Sequence, residues 1–297
     1  MNTPQHKLPH FLIIGGMKCG STTVFRDLED HPQVFLPLDK EPANLCHDKV
    51  LTPEGLAEYA AHFKPAKPDQ KRGEASTDYT KRPQHEGVPQ RALKVLGPEL
   101  RIVYILRDPV ARFISHHKHD GAQGLLPTNP DDALAREPGM IDFSRYAMQL
   151  EPWLDAFNKD NIMVVQFEHY TRDRTAHAER IQQHLGLEVI TEHITHDRAF
   201  NSSAHKPVPN ASWKAVLNSP IYRKTIRRFI PRDAKDRLRH LLLPKSTFTP
   251  EPPPRELLEQ LVRIFNQDQQ RLRQLLGDAA PSWDLESRWL SAEQPTA

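Results

Sequence analysis

The stretch Phe11-Leu12-Ile13-Ile14-Gly15-Gly16-Met17-Lys18-Cys19-Gly20-Ser21-Thr22-Thr23-Val24-Phe25 decides how this chain folds. Its first four residues form an apolar, β-rich run that ends at Gly15-Gly16, as a short buried strand does. From Ser21 to Glu29, Val24, Phe25 and Leu28 stand at helical spacing. The order is strand, glycine-bearing loop, helix. A lysine and three hydroxyls among the glycines suit an anion: first-turn N–H groups lack intrahelical partners, sit at the positive end of the macrodipole, and are joined by the Lys18 charge. The competing reading is a tight turn with a Ser/Thr helix cap, which has no need of a lysine inside the loop. In the usual nucleotide-triphosphate loop the lysine directly follows the last glycine and is itself followed by Ser or Thr. Here Lys18 precedes Gly20 and is followed by Cys19.

Working outward, Ile102 to Leu106 and Ile162 to Phe167 are further buried-strand runs, each followed by a helical pattern, Val110 to Lys118 and Arg172 to Leu185. Pro109 suits the first helical turn and Gly186 a helix stop. Strands alternating with helices predict an α/β fold of P-loop type, with a mostly parallel central sheet flanked by helices. Weaker signals mark a strand at Val34 to Leu36, a helix at Leu56 to Phe63, and the segment Arg72 to Ser76. Gly121 to Gly139 is rich in Gly, Pro, Asn and Asp and reads as a long loop. Beyond residue 196 the pattern is helical, at Ile221 to Phe229, Ala234 to Leu243 and Arg255 to Leu276. The expectation is one domain over residues 1–297, with an α/β nucleotide-binding core at 1–195 and a helical C-terminal portion at 196–297.

Acids and bases nearly cancel in these 297 residues, giving a formal +2, so a nucleic-acid-coating polycation is excluded and any basic site is local. The two cysteines, Cys19 and Cys46, build no disulfide framework. With no signal-peptide pattern or spanning run visible, a soluble cytoplasmic enzyme is the expectation.

The strand Ile102 to Leu106 ends in Arg107-Asp108-Pro109, and Ser115 follows two turns into the next helix. An arginine at the carboxyl end of a strand points into the ligand crevice of an open parallel sheet. With Ser115 it offers a cationic fork and a hydroxyl to a second phosphate. The plainer alternative is an Arg107–Asp108 surface pair with Ser115 in solvent.

Lys18-Cys19-Gly20-Ser21-Thr22-Thr23 resembles the 5′-phosphosulfate loop of sulfotransferases that use 3′-phosphoadenosine 5′-phosphosulfate (PAPS), and Leu106 to His116 resembles their 3′-phosphate motif. His31-Pro32, Lys40-Glu41-Pro42, Gly73 to Tyr79 and Phe265 to Trp283 are similar to segments of bacterial and Golgi-type carbohydrate sulfotransferases. The resemblance implies PAPS as co-substrate, 3′-phosphoadenosine 5′-phosphate (PAP) as product and no metal. It assigns donor contacts to Lys18, Cys19, Gly20, Ser21, Thr22, Thr23, Arg107, Ser115 and, in the adenine loop Asn201 to Pro207, Lys206. It also implies Glu41 as general base, with Lys18 stabilising the leaving phosphate and Lys40, Glu74, Asp78 and His116 on the acceptor side. Glu74, Asp78 and His116 are the alternative bases. Where the Golgi-type pattern carries paired aromatics, this chain has Asn44-Leu45-Cys46. The implied acceptor is a hydroxyl or amine, of a glycan or other hydroxylated molecule. A P-loop kinase and a non-catalytic nucleotide sensor are the rival functions.

His116, His117 and His119 lack the spacing and partners of tetrahedral metal ligation, and solvent-facing or crevice-lining histidines are the expectation. The basic run Tyr222 to His240 reads as a solvated amphipathic surface, or alternatively as a landing site for an acidic glycan or an anionic membrane. Cys19, next to Lys18 and near a helix start, is either an inert small residue or a thiol with a depressed pKa that oxidation turns into a block of the donor site.

Overall fold

The structure, a computed structural model, describes residues 7–38, 40–192, 194 and 247–291. Strand β1 (Phe11–Gly15) is buried along its whole length, as its unbroken apolar run requires of a central parallel strand. It is followed by α1 (Ser21–Glu29), β2 (Val34–Phe35), α2 (Pro53–Ala61), β3 (Lys71–Ala75) and α3 (Val88–Leu96). Then come β4 (Arg101–Leu106), α4 (Pro109–Ala122), α5 (Pro130–Arg136), α6 (Gly139–Asp142) and α7 (Tyr146–Ala156). Strand β5 (Ile162–Gln166), α8 (Phe167–Arg172) and α9 (Arg174–His184) close the α/β part, and α10 (Arg255–Leu276) and α11 (Leu285–Leu290) follow.

The five strands form a parallel sheet in the order β2-β3-β1-β4-β5, with Ile13 opposite Val103 and Tyr104 opposite Val164. From β1 the chain winds toward β2 and β3, and from β4 it winds the other way to β5. The carboxyl ends of β1 and β4 are therefore neighbours at the topological switch point, where open parallel sheets place ligands. The anion loop leaves β1 there, and Arg107 leaves β4 beside it.

Two apolar clusters hold these elements. One surrounds the sheet and includes Leu12, Ile14, Val24, Phe25, Val103, Ile105 and Trp153. The other joins α4 to α10 and α11 through Val110, Phe113, Leu261, Val262, Phe265 and Leu285. On α10 these apolar residues recur three or four apart, which gives one buried stripe. Asp268 on the same helix accepts from the N–H groups of Ala147 (2.9 Å) and Met148 (3.3 Å), so one helix caps the start of another.

The helix at Leu56 to Phe63 begins earlier, at Pro53, because Thr52 caps it by accepting from the Gly55 N–H at 3.1 Å. Most of Arg72 to Ser76 lies in a strand, Lys71–Ala75, despite its charges, since Gly73 and Ala75 pair beside Phe11 and Ile13. The reading of Gly121 to Gly139 as one long loop is corrected: α4 runs on to Ala122, and α5 stands inside the segment. Asn129 caps α5 through the Asp131 and Asp132 N–H groups, and Pro130 opens the helix. Lys206, the Asn201 to Pro207 loop, the helices expected at Ile221 to Phe229 and Ala234 to Leu243, and the basic run Tyr222 to His240 lie outside the described residues. Among the described residues no helix is long and apolar enough to cross a membrane.

Candidate active site

The loop from Gly16 to Gly20 turns tightly, with the Cys19 N–H donating to the Gly16 carbonyl at 2.9 Å. Lys18 and Gly20 both take positive φ, 73° and 94°. A side chain at Gly20 would be strained by that φ, and its Cβ would also stand 2.4 Å from the Phe167 ring. Gly20 is the N-cap of α1 and supplies no side-chain cap bond, so the Ser/Thr-cap reading fails; the Thr23 N–H turns back on the Gly20 carbonyl at 2.9 Å, and the N–H groups of Ser21 and Thr22 stay available to an anion. Farther along α1, buried Asp27 binds Tyr170 and Arg174, the latter through Nε at 2.8 Å, and pins this helix to α8 and α9.

Over the same helix start lies the Lys40-Glu41 pair. Lys40 Nζ donates to Thr22 Oγ1 at 2.9 Å and to Ser21 Oγ at 3.2 Å, and also to Glu41 Oε1 at 3.2 Å. Thr77 Oγ1 donates to the same Glu41 oxygen at 3.3 Å. Glu41 adopts a positive φ of 67° while its N–H donates to the Ala75 carbonyl at 2.9 Å, so the carboxylate is held at the end of β3. An exposed carboxylate and a cation thus share the mouth of the anion loop. Lys40, expected on the acceptor side, contacts the loop hydroxyls directly.

The second motif meets the first in space. Arg107 donates from Nη1 to the Lys18 carbonyl at 3.4 Å, and its guanidinium lies 5.4 Å from the Phe167 ring centre. Asp108 does not pair with Arg107 across a surface. It is fully buried and caps α4 by accepting from the Val110 and Ala111 N–H groups at 2.9 Å each. Ser115, at the end of the second turn of α4, is also buried, not in solvent.

Beneath the loop Arg112 is fully buried, bonded to Ser144, to the Met140 carbonyl at 2.5 Å, to the Met17 carbonyl at 3.5 Å and to His116 Nδ1 at 3.3 Å. Among the described residues it makes no ion pair; carbonyl oxygens surround its charge, and Asp120 meets it through His116. Burial pushes the Cys19 thiol up to about 11, against the weaker pull of its Tyr146 hydrogen bond. The depressed-thiol reading of Cys19 is therefore corrected: desolvation outweighs the helix start and the nearby cations.

These two motifs carry a family with them. The sulfotransferase domain profile matches residues 8–251. The chain belongs to the sulfotransferase domain family. The chain is 27% identical over 219 residues to heparan sulfate glucosamine 3-O-sulfotransferase 6 of Mus musculus, a match covering 69% of the chain and 59% of that relative. It is 23% identical over 304 residues to human bifunctional heparan sulfate N-deacetylase/N-sulfotransferase 3, covering 93% of the chain and 31% of that relative. The chain thus spans less than two thirds of the length of these relatives. The crystal structure of a sulfotransferase from Alicyclobacillus acidocaldarius superposes with a TM-score of 0.61 at 22% identity, over 90% of this chain and 95% of that one, which gives the fold.

Three side chains expected on the acceptor side sit differently. Glu74 is fully buried, accepts the Tyr59 hydroxyl at 2.5 Å, and is pushed up to about 7 by burial. It points into the core beside Tyr59. Asp78 is half-buried and paired with Lys81 at 2.6 Å. His116 is buried with Nε2 on Asp120 at 3.0 Å, and desolvation lowers it to about 4, so both ring nitrogens are engaged and the ring is neutral at pH 7. His117 is buried as well, bonded to the Pro127 carbonyl at 2.6 Å, so for these two histidines the solvent-facing half of the expectation, solvent-facing or crevice-lining, is corrected. Among the described residues no His, Cys, Asp and Glu group has metal-holding geometry. Sequence reasoning missed Phe167, Tyr146 and Arg112. Phe167 ends the β5 run at the carboxyl edge of the sheet, the one available signal; Tyr146 and Arg112 meet the loop only through the fold.

Proposed function

We propose that this chain transfers a sulfuryl group from PAPS to an acceptor hydroxyl or amine, with Glu41 as general base. The observation that carries this reading is the Lys40 ammonium, which bridges the Ser21 and Thr22 hydroxyls to the Glu41 carboxylate. It puts a proton acceptor at the mouth of an anion loop. Lys18, Ser21, Thr22, Thr23 and the backbone N–H of Gly20 fit the 5′-phosphosulfate, while the Cys19 N–H is taken up by the Gly16 carbonyl; Arg107 with Ser115 fits the 3′-phosphate. The S–O bond to the acceptor forms as the S–O bond to the leaving phosphate breaks, and the acceptor proton passes to Glu41. Lys18 and the helix start hold the charge left on the phosphate. A carbohydrate acceptor is favoured by the heparan sulfate relatives named above. The kinase reading loses support because buried Cys19 stands where the metal-binding hydroxyl would be.

Isothermal calorimetry tests the donor. PAP is expected to bind about 10- to 150-fold more tightly than AMP, the worth of a charge-assisted hydrogen-bonding site. Arg107→Ala is expected to abolish that preference. Equal wild-type affinity for the two nucleotides overturns the assignment.

A further inference from the structure

Beyond the matched residues 8–251 the chain returns, through α10, to the turn after β4. Asp108 there divides its carboxylate between two tasks. Its Oδ1 caps α4, while Oδ2 accepts from Trp289 Nε1 at 3.0 Å and lies 3.3 Å from Arg288 Nε. The Asp108 N–H donates to Glu168 Oε1 at 2.9 Å, and the other Glu168 oxygen accepts from Trp283 Nε1 at 3.0 Å. The Trp283 ring packs on Tyr146 with centres 6.0 Å apart, and the Tyr146 hydroxyl donates to the Arg107 carbonyl at 2.7 Å. Both polar atoms of the 107–108 peptide and both oxygens of Asp108 are thus held, and two tryptophans of one C-terminal segment stand behind them.

We propose that Trp283 and Trp289 are positioning residues for the donor's 3′-phosphate. The proposal rests on the reading that Arg107 and Ser115 hold that phosphate. Asp108 is the joint between the two: Arg107 precedes it, and the helix it caps carries Ser115. The carboxylate is buried, so it keeps one rotamer only while both oxygens have donors. Removing the Trp289 N–H leaves Oδ2 with the Arg288 ion pair alone, so the side chain is held less tightly over its cap and the spacing of Arg107 from Ser115 loosens. Loss of the Trp283 N–H acts on the same peptide through Glu168. This segment is remote in sequence, 181 residues from Asp108 in the case of Trp289.

Phenylalanine removes each indole N–H and keeps an aromatic ring in its apolar contacts. Calorimetry on the full chain with PAP and with AMP reads the effect. Trp289→Phe and Trp283→Phe are each expected to reduce the PAP-over-AMP preference by about 3- to 10-fold, with AMP affinity unchanged, because AMP has no 3′-phosphate. A purely structural role would lower the melting temperature and leave the ratio of the two affinities where it was. A folded Trp289→Phe with the wild-type ratio overturns the proposal. If that variant does not fold, Trp283→Phe and Arg288→Met decide in its place, and the wild-type ratio in both overturns it equally. A wild-type chain with no preference for PAP instead overturns the reading of Arg107 and Ser115, so the two failures are distinguishable.

Discussion

Glu74 was recognisable in the sequence as a carboxylate near the acceptor side, but nothing in Gly73-Glu74-Ala75 reveals that it points into the core against Tyr59. Burial sets its behaviour. Its pKa of about 7 in the fold stands above the ordinary 4.5, so the folded state holds a proton that the unfolded state has lost between those values. The stability carried by the neutral carboxyl is complete below pH 4.5 and is lost as the pH rises through 7. Glu74→Gln keeps the acceptor for Tyr59 and removes the charge. Its melting temperature is expected near that of wild type at pH 5 and above it at pH 8, by on the order of 1–3 kcal/mol of stability. A difference between the two proteins that does not move with pH contradicts this account.

At the scale of elements, the readable parts are those whose own residues decide them. Strand β1 and helix α1 followed from an apolar run and a helical stripe, and α10 begins and ends where its stripe does, at Arg255 and Leu276. Strand β3 was obscure because Lys71-Arg72-Gly73-Glu74-Ala75 has no apolar run, and only its place between β1 and β2 makes it a strand. Helix α5 was readable and was missed: the Asn129 cap, Pro130 and two aspartates in the first turn are start signals, hidden by the turn-forming residues around them. The contact between α10 and α4 is energetically central, since α4 carries Ser115. Phe265→Ala, at a position 1% exposed in that contact, is expected to cost about 3–5 kcal/mol in denaturant unfolding. A loss below about 1 kcal/mol would show that α10 is not part of the cooperative core.

Across the whole molecule, the two motifs of the proposed donor side were legible as segments because each is contiguous at the end of a strand, and adjacency of β1 and β4 brings them together. The layer beneath them was not, because Arg112, Tyr146, Phe167 and Trp289 contact the site from four separate elements. Glu41 was placed by resemblance, and the bridge through Lys40 gives the placement a physical reason. The most direct measurement is donor-dependent sulfation of a panel of glycans, phenols and amines, run with wild type and Glu41→Gln alongside PAP calorimetry. The account predicts turnover of an acceptor by wild type, a fall of about 10²–10⁴-fold in Glu41→Gln, and PAP affinity unchanged between the two. Near-wild-type turnover by Glu41→Gln on that acceptor would contradict it.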